Sequence, residues 1–278
     1  MAIIGILHPG EMGASLASAA IHNHHKVFWV STGRSPATRL RAEKYLLTDA
    51  GSLEELCKLA EILISICPPH SAEGIAKSVV EQNFKGIYLD ANAISPQRAN
   101  KIGKMMEAAG ISFVDGGIIG GPAWEPQSTW LYLSGKEADQ IAALFSGSLL
   151  ETNVIGTGIG KASALKMCYA AYSKGSTALL SASLAAAYSY DVQNDLNHQW
   201  ELDFTGFSEQ AADRVTRVTA KAWRFEGEMK EIADTFREAG LPDGFHKAAA
   251  EIYGRMSKFK RGEQRPALND ILKAMQER

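Results

Sequence analysis

GILHPGEMG, residues Gly5–Gly13, lies between a short apolar run and a helical pattern, and its reading decides the fold. A dinucleotide-binding strand-to-helix turn needs three things: a tight bend, a residue without a side chain where pyrophosphate approaches, and a small residue where helix meets strand. Gly10 suits the close approach and Gly13 the close packing, while His8 stands where the first glycine is usual. That glycine serves backbone geometry, so another residue is accepted if its dihedrals are ordinary, and Pro9 stiffens the loop at the loss of one donor. The amides of Gly10, Glu11 and Met12 remain to meet phosphate at the helix N-terminus. The turn reads as reshaped rather than destroyed. A tight turn with no ligand is the plainer alternative, and the strand before it, the helix after it and the strand beyond weigh against that.

Working outward, apolar runs rich in branched and aromatic residues read as buried strands: AIIGIL (2–7), KVFWV (26–30), ILISIC (62–67), GIYLDA (86–91), ISFVDG (111–116) and TWLYLSG (129–135). Helical patterns separate them, one opening with a capping box in which Ser52 and Glu55 form the reciprocal pair. Strict alternation with right-handed crossovers predicts an α/β fold: a Rossmann-type doubly wound parallel sheet over residues 1–158, closed by NVIGTG (153–158). From residue 159 the strand signal ends and an all-helical C-terminal domain follows, for substrate binding and dimerisation. Its first helix, Lys161–Tyr190, is rich in Ala and Ser and is a candidate homodimer contact; QAADRVTRVTAKAW, GEMKEIADTFREAG, FHKAAAEIYGRM and ALNDILKAMQ are amphipathic helices. The basic stretch KFKRGEQR (258–265) reads as a solvated connection.

Among 278 residues, 29 Lys and Arg nearly cancel 31 Asp and Glu, so the balance points to neither nucleic acid nor membrane and leaves a small-molecule substrate as the expected partner. Cys57, Cys67 and Cys168 are widely spaced in apolar company, which fits reduced thiols in a cytoplasmic protein and shows no metal-ligand spacing. The start of the chain carries no targeting pattern, and its apolar stretches fall short of a membrane span.

The second strand bears on the choice of dinucleotide. An NAD site usually places an acid about 20 residues past the turn for the ribose hydroxyls. Here WVSTGRS offers Ser31, Thr32 and Arg34, whose hydroxyls and guanidinium suit a 2′-phosphate, so NADP(H) is expected over NAD(H). Arg34 as a solvated loop cation is the alternative.

Further motifs follow in order: CPPHSA (67–72), DANAISP (90–96), DGGIIGG (115–121) and GIGKASALKMCYAAYSKG (158–175). With GEMG, this series resembles the β-hydroxyacid dehydrogenase family and its relatives, 6-phosphogluconate dehydrogenase and the imine reductases, over about Gly5–Lys174. WRFEGEMKEIADTF and FHKAAAEIY resemble a branch of 6-phosphogluconate-dehydrogenase-like proteins with its own helical domain. The resemblance implies that Cys67, Pro68, Pro69 and Asn92 lie on the cofactor side and that Ala93, Ile119, Gly120, Gly121 and Ala170 lie on the substrate side. It also implies that Lys166 is the catalytic lysine, working at a cleft between the domains. Where the family has a hydroxylated residue this chain has Asn92 and Ala93; its loop serine is Ile119, and its Asn one turn past the lysine is Ala170. Those changes point to a larger or less polar substrate, with the Gly120 and Gly121 amides still able to bind an anionic oxygen.

Oxidising a secondary alcohol needs a base for the hydroxyl proton, and the reverse needs an acid for the carbonyl oxygen. Lys166, apolar nearly all round, suits that task better than a snorkelling surface role, and Tyr169, one turn on, is placed to orient substrate or relay a proton. Lys174 is a candidate second substrate contact, and His246 a candidate to reach the site from the helical domain. The expected function is an NADP(H)-dependent dehydrogenase or reductase acting on CH–OH or C=O groups. Two alternatives stay open: an imine reductase-like enzyme, whose relatives carry Asp or Tyr at the lysine position, and a non-catalytic dinucleotide-binding regulatory protein.

Overall fold

The structure is a computed structural model that describes residues 1–261 and 264–277; Gly262 and Glu263, inside the basic stretch read as a connection, lie outside the described residues. Two compact units divide at Met167/Cys168. The division falls inside a helix, past the residue-158 loop where the sequence places it, because the first turns of that helix are bonded to the sheet of the first unit.

The first unit is built on one eight-stranded sheet in the order β3-β2-β1-β4-β5-β6-β7-β8. Its strands are β1 (Ile3–Ile6), β2 (Lys26–Trp29), β3 (Thr48–Asp49), β4 (Ile62–Ser65), β5 (Ile87–Asp90), β6 (Ser112–Gly120), β7 (Thr129–Ser134) and β8 (Glu151–Val154). All pairings are parallel except β6 with β7, which is antiparallel and corrects the expectation of a wholly parallel sheet. The cause is the connection: TWLYLS follows its neighbour after only a short loop, too short for a crossover helix. The polar, exposed two-residue β3 carries no strand signal in sequence.

Helices α1 (Glu11–His22), α2 (Pro36–Lys44), α3 (Leu53–Leu59), α4 (Ala72–Glu81), α5 (Pro96–Ala108) and α6 (Ala138–Ala143) connect the strands. Leu16, Ala17 and Ala20 of α1 and Ile141 and Leu144 flank one sheet face; Leu56, Ala76, Val79, Ile102 and Met106 cover the other. Ser35, Ser52 and Ser95 cap α2, α3 and α5 by accepting from the amide three residues on, two of them with Pro at the first helical turn. Half of the expected capping box forms: Ser52 Oγ accepts from Glu55 N, whereas the Glu55 carboxylate pairs with Lys58. The order reverses direction between β1 and β4, the switch point at whose carboxyl ends ligands bind in open α/β sheets.

Helix α7 (Lys161–Ser189) runs from the first unit into the second, which continues with α8 (Gln193–Asp203), α9 (Phe207–Glu238), α10 (Gly244–Met256) and α11 (Leu268–Gln276). Where the sequence suggests two helices broken near Gly227, the chain forms the single 32-residue α9. Glu226 and Lys230 pair across the glycine at 2.6 Å, and burial of Ala222, Met229 and Ile232 continues the same face through it. Helix α8 escaped the sequence reading because it has no buried residue and therefore no apolar stripe. Among the described residues no helix is long and apolar enough to cross a membrane.

Candidate functional site at the ends of β1, β4 and β6

The β1–α1 turn sits at the switch point, held to β4 by Leu7 N donating to Ile64 O at 3.0 Å. A Cβ on Gly13 would lie 2.2 Å from His8 O, so only glycine lets α1 start this close to the turn. A Cβ on Gly10 would meet nothing within 4 Å, which leaves the outer face of the turn open. His8 is not among the residues with positive φ, so the substitution for the first glycine is accommodated without strain. One sequence expectation changes: Gly10 N donates to His8 O at 2.9 Å, so the amides left for an anion are those opening α1, from Glu11 and Met12 onward.

His8 is largely buried, its Nδ1 has no hydrogen-bond partner among the described residues, and burial followed by the charge of Arg34 pushes its pKa down to about 4. Arg34 bends back over the turn, donating through Nη2 to Leu7 O at 3.1 Å while its buried Nε lacks a partner among the described residues. Two orphaned nitrogens beside an open glycine and a helix N-terminus fit a phosphate-bearing cofactor. Thr32 is exposed with Oγ1 donating to Gly51 O at 2.6 Å. Ser31 is buried, its amide donating to Asp49 Oδ1 at 3.2 Å and its carbonyl accepting from Arg39 Nη2 at 2.9 Å. Arg41 Nε donates to Glu11 Oε1 at 2.8 Å and its Nη1 to Pro9 O at 3.4 Å.

Arg39, Arg41 and Asp49 were missed in sequence. The arginines lie on a helix whose charges follow no apolar stripe, and Asp49 reaches the end of β2 only through the short pairing with β3.

At the next strand end, Asn92 works as a clamp. Its Oδ1 accepts from Cys67 N at 2.6 Å, its Nδ2 donates to Ser65 Oγ at 3.1 Å, and its own amide donates to Asp90 Oδ1 at 3.0 Å. The side-chain amide thus ties the start of the Cys67–Pro69 loop to the end of β4, and Arg98 Nη2 fixes the loop's far side at Pro69 O, 2.8 Å away. Asp90 is buried with Oδ2 unpartnered among the described residues; burial above all, and the Asp115 carboxylate beside it, raise its pKa to about 7. Burial likewise pushes the Cys67 thiol up to about 12, so it is no nucleophile at neutral pH.

On β6, Asp115 is the anchor of α7. Its Oδ2 accepts from Gly160 N (2.9 Å), Ser163 N (3.0 Å) and Ser134 Oγ (3.1 Å), and its Oδ1 accepts from Ser163 Oγ (2.6 Å). Ser134 Oγ in turn accepts from Ala162 N at 3.2 Å. The first turn of α7, whose amides have no intrahelical partner, is therefore satisfied by the sheet. A Cβ on Gly117 would lie 2.5 Å from Ala162 O and 3.0 Å from Lys166 Cβ, so glycine there lets the helix lie against the strand and brings half-buried Lys166 over β6. Further along β6, Ile119 is buried, while Gly120 and Gly121 are exposed; Gly120 has φ +116°, and a Cβ on it would meet Ser128 O at 2.1 Å. Ala93 is half-buried beside Asn92.

In the second unit, Tyr169 is exposed and Ala170 buried. Lys174 forms a buried ion pair with Glu228, stands 4.4 Å from the centre of the Phe225 ring, and has its carbonyl bonded by Tyr253 Oη at 2.8 Å. His246 is buried with its ring centre 4.2 Å from that of Phe236 and 5.3 Å from that of Phe245. Both residues are thus engaged within this unit's own core, where the sequence had offered them as substrate contacts.

Residues 1–144 match the NAD binding domain of 6-phosphogluconate dehydrogenase. The chain belongs to that family. Residues 187–256 match a domain of unknown function, DUF1932, which is the helical C-terminal region the motifs had suggested. An uncharacterized 28.5 kDa protein of Methanothermus fervidus is 33% identical over 177 residues, 64% of this chain and 67% of that one. The mitochondrial 3-hydroxyisobutyrate dehydrogenase of Drosophila melanogaster is 25% identical over 177 residues; the match takes in 59% of this chain but only 52% of that protein. Among solved structures, the conserved protein MTH1747 of unknown function, itself similar to 3-hydroxyacid dehydrogenases, superposes with a TM-score of 0.67 at 28% identity, over 92% of this chain and 97% of its own.

Proposed function

We propose that the protein is an NADP(H)-dependent oxidoreductase that interconverts a hydroxyl and a carbonyl on a small molecule, with Lys166 as the general acid/base. The observation that carries this reading is the Asp115–Ser134–Ser163 network, which with Gly117 fixes Lys166 against the strand that leads into the Gly120–Gly121 loop. A lysine held this way takes the hydroxyl proton as the alcohol is oxidised, and returns it to the carbonyl oxygen in reduction. A nicotinamide held at this site would supply the hydride chemistry. The loop clamped by Asn92 and Arg98 is suited to carry the nicotinamide end, and the α1 N-terminus the pyrophosphate. Tyr169, one turn beyond Lys166, is exposed and suited to orient substrate.

Preference for the 2′-phosphate is supported by Arg34, Arg39 and Arg41, which gather around the turn and the end of β2; the nearby Asp49 Oδ1 is already bonded by the amides of Ser31 and Gly51. Exposed Tyr169, Tyr172 and Leu179 on α7 support a homodimer through this helix, which sedimentation equilibrium checks.

The test is a fluorescence titration with NADPH and NADH, followed by turnover on a panel of alcohols, carbonyls and cyclic imines. NADPH binds more tightly, and Arg34→Ala weakens it by about 10- to 100-fold, the loss expected for one charge-assisted contact, with NADH nearly unaffected. Lys166→Met keeps NADPH binding and cuts turnover by roughly 10²- to 10⁴-fold. Equal loss of binding and turnover refutes the role of Lys166; faster turnover of imines than of ketones favours an imine reductase, and binding without any turnover favours a regulatory dinucleotide-binding protein.

A further inference from the structure

The loop after Gly120 is closed on itself and fastened to a helix on the nucleotide side of the same unit. Thr129 Oγ1 donates to Gly121 O at 2.7 Å, Ser128 Oγ donates to Glu125 O at 2.6 Å, and Trp124 N donates to Pro122 O at 2.8 Å. Ala123 is buried in the core on the α1 side of the sheet. The Trp124 ring then stacks on Tyr45, with centroids 4.5 Å apart and planes 16° from parallel. Tyr45 is the C-cap of α2, and one turn earlier on that helix stands Arg41, bonded to Glu11 and to Pro9 O of the dinucleotide turn. Residues four apart share a helix face, so one side of α2 touches the turn with Arg41 and the loop with Tyr45.

We propose that Trp124 and Tyr45 form an aromatic clasp that ties the Gly120–Ser128 loop to the dinucleotide turn, which makes Trp124 a positioning residue for the substrate. The proposal rests on the reading that the turn binds NADP(H) and that Gly120 and Gly121 receive the substrate. It deepens that reading by naming what sets the loop's position. Trp124 acts through the backbone of the loop, which is otherwise held by the burial of Ala123 and by short-range hydrogen bonds within the loop itself. An anion arriving at the α1 N-terminus draws on the same Glu11–Arg41 contact, so the clasp passes cofactor occupancy to the loop along one turn of α2.

Amide hydrogen exchange over residues 120–129, read by mass spectrometry, tests the clasp without relying on activity. Wild type, Tyr45→Ala and Tyr45→Phe are compared with and without NADPH. In the absence of cofactor, Tyr45→Ala speeds exchange of the loop by roughly three- to tenfold, the opening expected from losing one stacked pair, and Tyr45→Phe restores the wild-type rate. NADPH slows the loop in wild type and in Tyr45→Phe but not in Tyr45→Ala. In turnover, Tyr45→Ala raises KM for substrate while NADPH affinity is kept. Unchanged exchange in cofactor-free Tyr45→Ala overturns the clasp whatever the enzyme does. Faster loop exchange in that variant, with no NADPH binding by wild type, upholds the clasp as a contact and overturns its coupling to cofactor together with the proposed function.

Discussion

Removing the Asp115 carboxylate tests the part of the structure on which the placement of Lys166 depends. In Asp115→Ala the backbone amides of Gly160 and Ser163 lose their acceptor in a buried setting, while the Ser134 and Ser163 hydroxyls can rotate toward other partners. Each orphaned buried amide costs about 1–3 kcal/mol, so the two together, less what local relaxation recovers, set a loss of about 2–5 kcal/mol. Asp115→Asn behaves differently. An amide oxygen in the place of Oδ2 keeps all three donors, and its NH₂ in the place of Oδ1 donates to Ser163 Oγ with the hydroxyl turned. What is lost is the charge-assisted strength, about 1–2 kcal/mol. Urea unfolding of wild type and both variants, with m-values compared, measures the ordering. Because α7 loses its cap, Asp115→Ala also loses turnover out of proportion to NADPH affinity. Equal destabilisation by the two variants, or a loss under about 1 kcal/mol for alanine, refutes the account of Asp115 as the cap of α7.

Two further perturbations follow. Gly117→Ala places a methyl 2.5 Å from Ala162 O and 3.0 Å from Lys166 Cβ, where neither the sheet nor the anchored helix can yield cheaply; a stability loss of about 1–3 kcal/mol and a fall in kcat with NADPH affinity kept are expected, and full activity would show that Lys166 tolerates displacement. Asp90, with its pKa raised from the ordinary 3.8 to about 7, holds its proton in the folded state and releases it in the unfolded one, so it lowers stability as pH rises from about 4 to about 7. His8, lowered to about 4, acts oppositely, adding stability as pH rises from about 4 to about 6.5. The difference between wild type and Asp90→Asn therefore isolates Asp90. Urea unfolding at pH 5 and pH 8 shows the variant gaining relative to wild type at the higher pH, by at most roughly 3 kcal/mol; parallel pH profiles would place the proton elsewhere.

The residues that decide the sheet were readable because its central strands are short apolar runs and the closest helix–strand approaches fall at glycines. Gly13 and Gly117 show why: backbone at 2.2 Å and 2.5 Å from where a Cβ would stand leaves one residue type. What escaped reading was whatever lacks an apolar face. The strand Thr48–Asp49 is exposed, α8 buries nothing, and Gly227 looks like a stop only while the Glu226–Lys230 pair across it is unseen. The nucleotide turn was legible as a shape, yet the engagement of the Gly10 amide with His8 O, and the gathering of Arg39 and Arg41, depend on contacts between separate elements. Lys174 had the right helix and spacing for a substrate contact, but its partner Glu228 lies 54 residues away, beyond any local pattern.

The departures from the dehydrogenase pattern sort by what each position does. Asp90, Asp115, Gly117 and Gly120 carry the bonds and close approaches that hold the loops and α7. Ala93, Ile119 and Ala170 stand instead where those motifs present polar groups to a small hydroxyacid, and here they carry no polar side chain at all. Asn92 shows the difference: standing where the resembling motifs have a hydroxylated residue, its amide accepts from Cys67 N in the Cys67–Pro69 loop and donates to Ser65 Oγ at the end of β4.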